Sequence, residues 1–245
     1  ELESLLSRKA QGNPFFIEEL VRALEEAGCL RRRDGIVELC GDWQALDLPD
    51  TLSGVVQARL DRLPEREHLT LKVASVIGRT FERPLLHQVH PGRPGEGPLA
   101  HQLERLGRAA FLMLEAGPPE WRYAFQHPIL HEVAYGTLLF AQRRMLHGEI
   151  GAAIERSYAA DLPRVLDLLA YHYARSEERE KAVHYLQRAG EKARREYANE
   201  MALGYYSQAR ERLLPEEQVL RYDLLAGRER IHNLLGNREA QEQDL

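Results

Sequence analysis

The chain has 245 residues, of which 44% are hydrophobic and 29% are charged, and its formal net charge is −5. This is the composition of an ordinary globular protein, and the length is sufficient for two or three small domains. Apolar runs are far shorter than the roughly 20 residues that span a membrane, and no targeting segment stands out, so we expect a cytoplasmic protein without membrane contact.

The run Gly-Asn-Pro-Phe-Phe-Ile-Glu-Glu-Leu at residues 12–20 is the first strong local signal. Asn13 can accept hydrogen bonds from free backbone N–H groups, and Pro14 suits the first helical position because it has no N–H to lose. An apolar stripe follows and ends at Gly28, which predicts a helix from Pro14 to about residue 27. Within it, the pair Glu18-Glu19 is interpreted as a solvated face.

A β-hairpin is predicted over residues 30–40, because Asp34-Gly35 stands between two β-prone runs. Cys29 and Cys40 flank this hairpin and could meet in space. Two isolated thiols without a secretory signal nevertheless favour reduced residues over a disulfide.

The middle of the chain alternates helical and turn signals. The predicted elements are helices over 52–63 and 64–78, a Gly/Pro-rich surface loop over 91–98, a helix over about 99–108, and strands over 111–115 and 121–125. His87 and His90, beside the loop, are interpreted as surface residues. Helices followed by a two-stranded wing indicate a winged-helix domain, which we place at residues 48–140.

The remainder, from Leu138 onward, has an almost uninterrupted helical pattern with breaks near residues 161–163, Asn199 and Pro215. The pattern Ala-x-x-x-aromatic/Leu-x-x-Ala near residue 182 recurs at an offset of 20 residues. It resembles the second helix of a tetratricopeptide repeat (TPR), but the full repeat takes 34 residues. We therefore predict successive helices of an antiparallel stack, in a TPR-like array over residues 141–245 that continues past the chain.

No independent active site is expected. None of the four lysines follows a glycine, so the P-loop pattern G-x-x-x-x-G-K-[ST] is absent. No Gly-x-Ser-x-Gly motif, Cys-His pairing or carboxylate cluster indicates catalysis. His127 and His131 lie four positions apart but lack a third ligand fixed by spacing, so no metal site is predicted.

His127 is the strongest candidate for chemistry. It ends the second wing strand and precedes Pro128, which begins the next predicted helix. An imidazole at a helix N-terminus can donate to an anion that the helix dipole also attracts. Two structural alternatives stay open: His127 only caps the helix or packs beneath the wing, and Pro14 is only a first-turn proline.

The order of these motifs resembles the lid and winged-helix parts of STAND ATPases, the signalling branch of the AAA-related NTPases. The Gly-x-Pro helix start matches the family's lid helix, where this turn closes over adenine. Phe125-Gln126-His127-Pro128 resembles the winged-helix His element, whose His reaches the β-phosphate of ADP. The resemblance thus implies nucleotide contacts for Pro14 and His127. Gln126 and Pro128 replace the Met and Asp of the NB-ARC form, so only His127 carries over directly.

The fold implied is mainly α: a lid with a β-hairpin over 1–47, the winged helix over 48–140, and the helical array over 141–245. The function implied is the regulatory fragment of an ATP/ADP-switched signal-transduction protein, whose P-loop ATPase core precedes residue 1. ATP or ADP would be the cofactor of that parent and would not bind this fragment tightly. An unidentified protein or small molecule would bind the array.

Proteins with a class III adenylate/guanylate cyclase domain before the ATPase, and large LuxR-type regulators, have a similar arrangement. Two alternatives belong to other classes. One is a TPR-type binding scaffold without nucleotide contact. The other is a DNA-binding regulator that uses the helix at 99–108, with His101, Arg105 and Arg108. The interspersed charges and a wing tip that reads Pro118-Pro119-Glu120 argue against DNA.

Overall fold

The computed structural model describes residues 2–33, 36–40 and 48–244. Most of these residues are helical and the strands are short and antiparallel, which confirms the mainly α prediction. The chain divides into two compact units, residues 1–83 with 94–138, and residues 84–93 with 139–245. Among the described helices, none combines the length and the apolar character that crossing a bilayer requires.

Eighteen regular elements are described, apart from one short 3₁₀ turn at Leu162–Val165. The helices are α1 (Leu2–Ala10), α2 (Pro14–Glu26), α3 (Leu52–Asp61), α4 (Glu65–Ile77), α5 (Arg83–Val89), α6 (Glu96–Arg108), α7 (Pro128–Gly136), α8 (Phe140–Ser157), α9 (Leu166–Tyr173), α10 (Arg179–Arg195), α11 (Asn199–Arg210), α12 (Gln218–Leu234) and α13 (Arg238–Asp244). The strands are β1 (Leu30–Arg33), β2 (Ile36–Leu39), β3 (Thr80–Glu82), β4 (Leu112–Ala116) and β5 (Arg122–Phe125).

The first helix of the sequence prediction is confirmed as α2. Asn13 caps it, Pro14 occupies its first turn, and Gly28 follows it with φ of 73°, a conformation that glycine adopts without strain. One face of α2 is buried in a core shared with α1, β1 and α3. The buried members include Leu6, Phe16, Leu20, Leu24, Leu30 and Val55.

Strands β1 and β2 pair antiparallel, as the hairpin prediction requires, whereas the predicted turn residues 34–35 lie outside the described residues. The two strands predicted over 111–115 and 121–125 are also confirmed, as β4 and β5. A third strand, β3, which the sequence did not indicate, extends this sheet in the order β3-β5-β4 and pairs Phe81 with Tyr123. Its three residues are too few for a periodic signal, and its pairing is long-range.

The structure differs from the prediction at three points around the Gly/Pro-rich loop. Helix α6 begins at Glu96 rather than near 99, because Pro98 falls in the first turn, where its missing N–H forfeits no intrahelical bond. Helix α5 fills residues 83–89, where no element was predicted. His90 is buried rather than on the surface, and its Nδ1 accepts from the backbone N–H of Gly92 at 3.1 Å.

In the second unit, each helix from α8 to α13 packs on the next. The recurring Ala/aromatic pattern does belong to successive helices, α10 and α11, as predicted. They run antiparallel, because Arg179 at the start of α10 donates to the carbonyl of Arg212 just after α11. The buried face of the pair carries four alanines, a leucine and a tyrosine: Ala182, Leu186, Ala189, Ala202, Tyr206 and Ala209.

Two glycines allow close helix approach around Tyr206. A Cβ added at Gly190 of α10 would lie 2.8 Å from the Tyr206 ring, and one added at Gly227 of α12 would lie 3.0 Å from it. The ring is almost fully buried between them. The three helices therefore pack at a distance that only glycine permits at these positions.

Candidate functional site

The turn between α1 and α2 is built from left-handed backbone. Gln11 and Gly12 have φ values of 49° and 83°, and the N–H of Asn13 donates to the carbonyl of Ala10 at 2.9 Å. A Cβ on Gly12 would meet no atom within 4 Å, so it is the backbone conformation that favours glycine there. Asn13 then caps α2 by accepting from the N–H of Phe16 at 3.3 Å.

Helix α7 begins in the same way. His127 has extended backbone, its Nδ1 accepts from the N–H of Ile129 at 3.4 Å, and Pro128 occupies the first turn. The preceding strand is held in place because the N–H of Gln126 donates to the carbonyl of Phe111 at 3.1 Å. The β5–α7 junction thus fixes the position and the orientation of the imidazole.

The two helix starts meet at one place. The rings of Phe15 and His127 stack with their centroids 3.8 Å apart and their planes within 15°. Phe15 directly follows Pro14, so the structure brings together the two residues singled out in the sequence, Pro14 and His127. Pro14 is exposed and His127 is half-buried, which leaves the junction open to solvent.

The hydrogen bond at Nδ1 determines what His127 can do. A neutral imidazole has one donor and one acceptor nitrogen, and because Nδ1 accepts, Nε2 carries the proton. That N–H lies at the N-terminus of α7, with the N-terminus of α2 alongside. Both termini contribute partial positive charge. The junction of Asn13, Pro14, Phe15, His127 and Pro128, which we call the two-helix junction, is chemically suited to an anion.

His131, one turn further along α7, has a different role. Its Nε2 lies 2.9 Å from the carbonyl oxygen of Ser75, to which it donates, and its ring packs edge-on against Phe125. Burial lowers its pKa, which keeps the ring neutral at physiological pH. His131 therefore joins α7 to α4. Within the described part of the chain, no group of three or more His, Cys, Asp or Glu side chains is placed to bind a metal.

A buried ion cluster ties α2 to α3. Arg59 of α3 is almost fully buried and forms an ion pair with Glu19 of α2, while its Nε donates to Glu26 at 2.9 Å. It also donates to the carbonyl of Ala109 at 2.7 Å and lies 4.7 Å above the ring of Phe111. The prediction that Glu18-Glu19 forms a solvated face is wrong for Glu19, which is fully buried in this cluster.

A cavity of about 820 Å³ opens beside the cluster, between α2, β1 and the end of α6. Its lining carries charges of both signs, from Glu18, Arg22, Glu25, Arg31 and Arg108. The cavity does not include Pro14 or His127, so it is separate from the two-helix junction.

The basic residues of α6 are largely engaged with carboxylates. Arg105 pairs with Glu67 of α4 at 3.1 Å, and Arg108 pairs with Glu104 one turn away at 2.6 Å. His101 is exposed. Both arginines are more than half exposed, so these are surface ion pairs.

Sequence reasoning missed Phe15, Glu19 and Arg59. Two signals were present. Phe15 lies outside the apolar stripe that buries Phe16 and Leu20, so a second aromatic there indicated a second contact surface. Arg59 lies four residues after Val55, on the face of α3 that should be apolar, and a charge in that position calls for a buried partner.

The chain matches no protein-family model and no solved structure. Over 103 residues, which are 42% of the chain, it is 27% identical to an uncharacterized protein of Rhizobium meliloti strain 1021. The match covers 10% of that relative's length, so the chain spans only a small part of it.

Proposed function

We propose that this chain is the regulatory part of a STAND-type signalling protein, in which bound ADP or ATP sets the position of a lid, a winged helix and a TPR-like arm. The observation that carries the proposal is the stack of Phe15 on His127, at 3.8 Å between ring centroids. It places the Gly-Asn-Pro helix start beside the His element, as a shared nucleotide contact requires.

The residues of the two-helix junction fit the anionic part of a nucleotide. His127 would donate from Nε2 to a phosphate oxygen, while its Nδ1 continues to cap α7. Pro14 is exposed at the start of α2, where it would contact the adenine of a nucleotide held by an upstream P-loop core. When bound, the nucleotide would supply the charge that ties the junction to that core.

The energy of one such contact is sufficient to bias a switch. A hydrogen bond to a charged group contributes about 1.5–3 kcal/mol, and allosteric couplings are typically about 1–3 kcal/mol. The buried Arg59–Glu19 pair supports the mechanical part of the proposal, because it connects α2 to α3 directly. If nucleotide exchange displaced Pro14 and with it the start of α2, α3 of the proposed winged helix would then be displaced as well.

Two further observations agree with the proposal. The Rhizobium meliloti relative is roughly ten times as long as the matched segment, the size of a protein with many domains. The mixed charge favours protein packing over DNA binding. We place the protein in the cytoplasm, where ATP and ADP are available.

The test uses the parent protein, including the residues upstream of this chain. His127→Ala is expected to lower the amount of ADP that remains bound through purification and to raise basal output. His127→Asn keeps a side chain that caps α7, so it separates loss of the imidazole from loss of the helix start. His101→Ala removes an exposed histidine of α6 as the matched control.

Retained ADP measured after heat release, together with output, decides between the alternatives. The proposal expects both His127 variants to lose ADP and the His101 variant to behave as wild type. If all the variants retain ADP and output equally, the chain acts as a scaffold without nucleotide contact. A parent that lacks a P-loop upstream would also exclude the proposal.

A further inference from the structure

Cys29 and Cys40 face each other at the open end of the β1–β2 hairpin. The register pairs Leu30 with Leu39, so the next residues outward on the two chain segments, Cys29 and Cys40, are directly opposite. The N–H of Cys40 donates to the carbonyl of Cys29 at 2.8 Å. A hydrogen-bonded antiparallel pair has two such bonds, and here the N–H of Cys29 donates to the carbonyl of Leu24 instead.

This pairing sets the distance between the two residues. Opposed residues of a hydrogen-bonded pair have Cα atoms about 5.5 Å apart, which lies within the range of disulfides. Their side chains also share one face of the hairpin. The Cβ atoms of opposed residues are about 4.5–5.5 Å apart, and a hydrogen-bonded pair lies toward the longer value, whereas a disulfide needs about 3.5–4.5 Å. A bond here therefore requires a small approach of the strands, which makes it easier to reduce.

The two thiols differ in exposure. Cys29 is 6% exposed and belongs to the core cluster with Leu24 and Leu30, whereas Cys40 is only half-buried. Both are present as thiols. An oxidant from solution therefore reaches Cys40 first, and Cys29 is positioned as the second, resolving thiol.

We propose that Cys29 and Cys40 form a reversible redox pair that reacts with low-molecular-weight disulfides such as glutathione disulfide. The Cys40 thiolate attacks one sulfur of the oxidant and releases one glutathione thiolate. The Cys29 thiolate then attacks the Cys40 sulfur of the mixed disulfide and displaces the second. The two protein thiols are oxidised, one small disulfide is reduced, and the two protons pass to the released thiolates.

The bond would connect the end of the hairpin to the end of α2. The N–H of Cys29 donates to the carbonyl of Leu24 in the last turns of that helix, at 2.9 Å, and Gly28 reverses the chain between them. Oxidation would add a covalent bond between residue 40 and the end of α2, and reduction would remove that bond.

The experiment incubates the folded chain with glutathione disulfide, blocks remaining thiols and measures intact mass. The expected product is lighter by two hydrogen atoms and has no glutathione attached. Trypsin cuts at Arg31 and Arg33, between the two cysteines, so peptides 23–31 and 34–59 are expected to remain linked until a reductant is added. Excess reduced glutathione is expected to restore both thiols.

Two variants test the order of events. Cys29→Ser should stop at a stable glutathione adduct on Cys40, and Cys40→Ser should form an adduct on buried Cys29 about tenfold more slowly. The proposal is overturned if the native chain ends with two adducts, if it forms only links between chains, or if the linked peptides arise only in urea. A bond that persists in excess reduced glutathione would overturn its reversibility.

Discussion

Replacing Arg59 with methionine tests whether the buried ion cluster holds α2 against α3. Methionine has a similar length but no charge, so Glu19 would stay fully buried with only the longer contact to Arg22, at 3.9 Å. Breaking a buried ion pair from one side costs about 3–5 kcal/mol. The carbonyl of Ala109 also loses its donor. We therefore expect Arg59→Met to reduce the unfolding free energy of the first unit by at least about 3 kcal/mol.

The double variant distinguishes a lost charge from lost packing. Arg59→Met combined with Glu19→Leu removes both charges, and replacing a buried pair by apolar residues is often neutral or stabilising. It should therefore be more stable than Arg59→Met alone by about 2 kcal/mol or more. Arg66→Met changes an exposed arginine of α4, and a cost within about 0.5 kcal/mol is expected.

Urea unfolding at neutral pH is the assay. Trp121 lies in the first unit, and the sequence of the second unit contains no tryptophan, so tryptophan fluorescence follows the first unit separately from the helical array. The reasoning would be refuted if Arg59→Met cost less than about 1 kcal/mol. It would also be refuted if the double variant lost as much stability as Arg59→Met and Glu19→Leu lose together when each is measured alone.

Three predictions concern the second unit, each followed by urea unfolding with circular dichroism. Burial acts to raise the pKa of Glu155, but hydrogen bonds from Tyr185, Lys181 and Tyr173 lower it to about 2, so its contribution is complete above pH 4.5 and is lost as the pH falls toward 2. Because Lys181 is 43% exposed, solvent screening reduces the stabilisation from its ion pair with Glu155. Glu155→Gln should therefore lower the unfolding free energy by about 1–2 kcal/mol at pH 7 and by less at pH 3. An equal loss at the two pH values would contradict this. Burial lowers the pKa of His147 to about 4 and that of His172 to about 3, and their Nδ1 atoms are 3.0 Å apart. The unfolded chain therefore binds more protons at these two residues below pH 6.5. The pair alone should lower stability by up to about 2.7 kcal/mol per pH unit between about pH 6 and 4. His172→Leu should reduce the measured slope by up to about 1.4 kcal/mol per pH unit, and an unchanged slope would exclude the pair as a cause. Gly190→Ala places a Cβ 2.8 Å from the Tyr206 ring and should cost about 1–3 kcal/mol of stability. As the control, the Cβ of Gly204→Ala meets no atom within 4 Å, so this change should stabilise α11 by up to about 1 kcal/mol. Similar effects of the two changes would show that packing on Tyr206 does not cause the loss at Gly190.

The parts of the fold that were predicted correctly depend on neighbouring residues. Asn13 and Pro14 determine where α2 begins through a cap and a missing N–H, and both act within one turn. The hairpin strands and the successive helices α10 and α11 follow likewise from turn chemistry and side-chain periodicity. These elements could be predicted from the sequence because the residues that determine each of them are neighbours along the chain.

The parts that were missed depend on contacts between distant segments. Strand β3 exists because Phe81 finds a partner in Tyr123, and no property of three residues indicates that pairing. Arg59 could be seen to lie on an apolar face, but its partners Glu19 and Ala109 come from two other elements. The candidate site shows the same limit: Pro14 and His127 were found by motif, while the Phe15 stack that joins them was not.

The cap that His127 provides to α7 bears directly on whether it also binds a ligand. A capping role was the main structural alternative to a nucleotide contact, and the structure does place Nδ1 on the N–H of Ile129. The two roles use different nitrogens, however. By accepting at Nδ1, the cap puts the proton of the neutral ring on Nε2, and the stack on Phe15 restrains rotation of the ring plane. Capping therefore prepares the donor that a phosphate oxygen would need, so a loss of stability in His127→Ala does not argue against the contact. The comparison with His127→Asn, in which the cap persists and the imidazole does not, is what separates them.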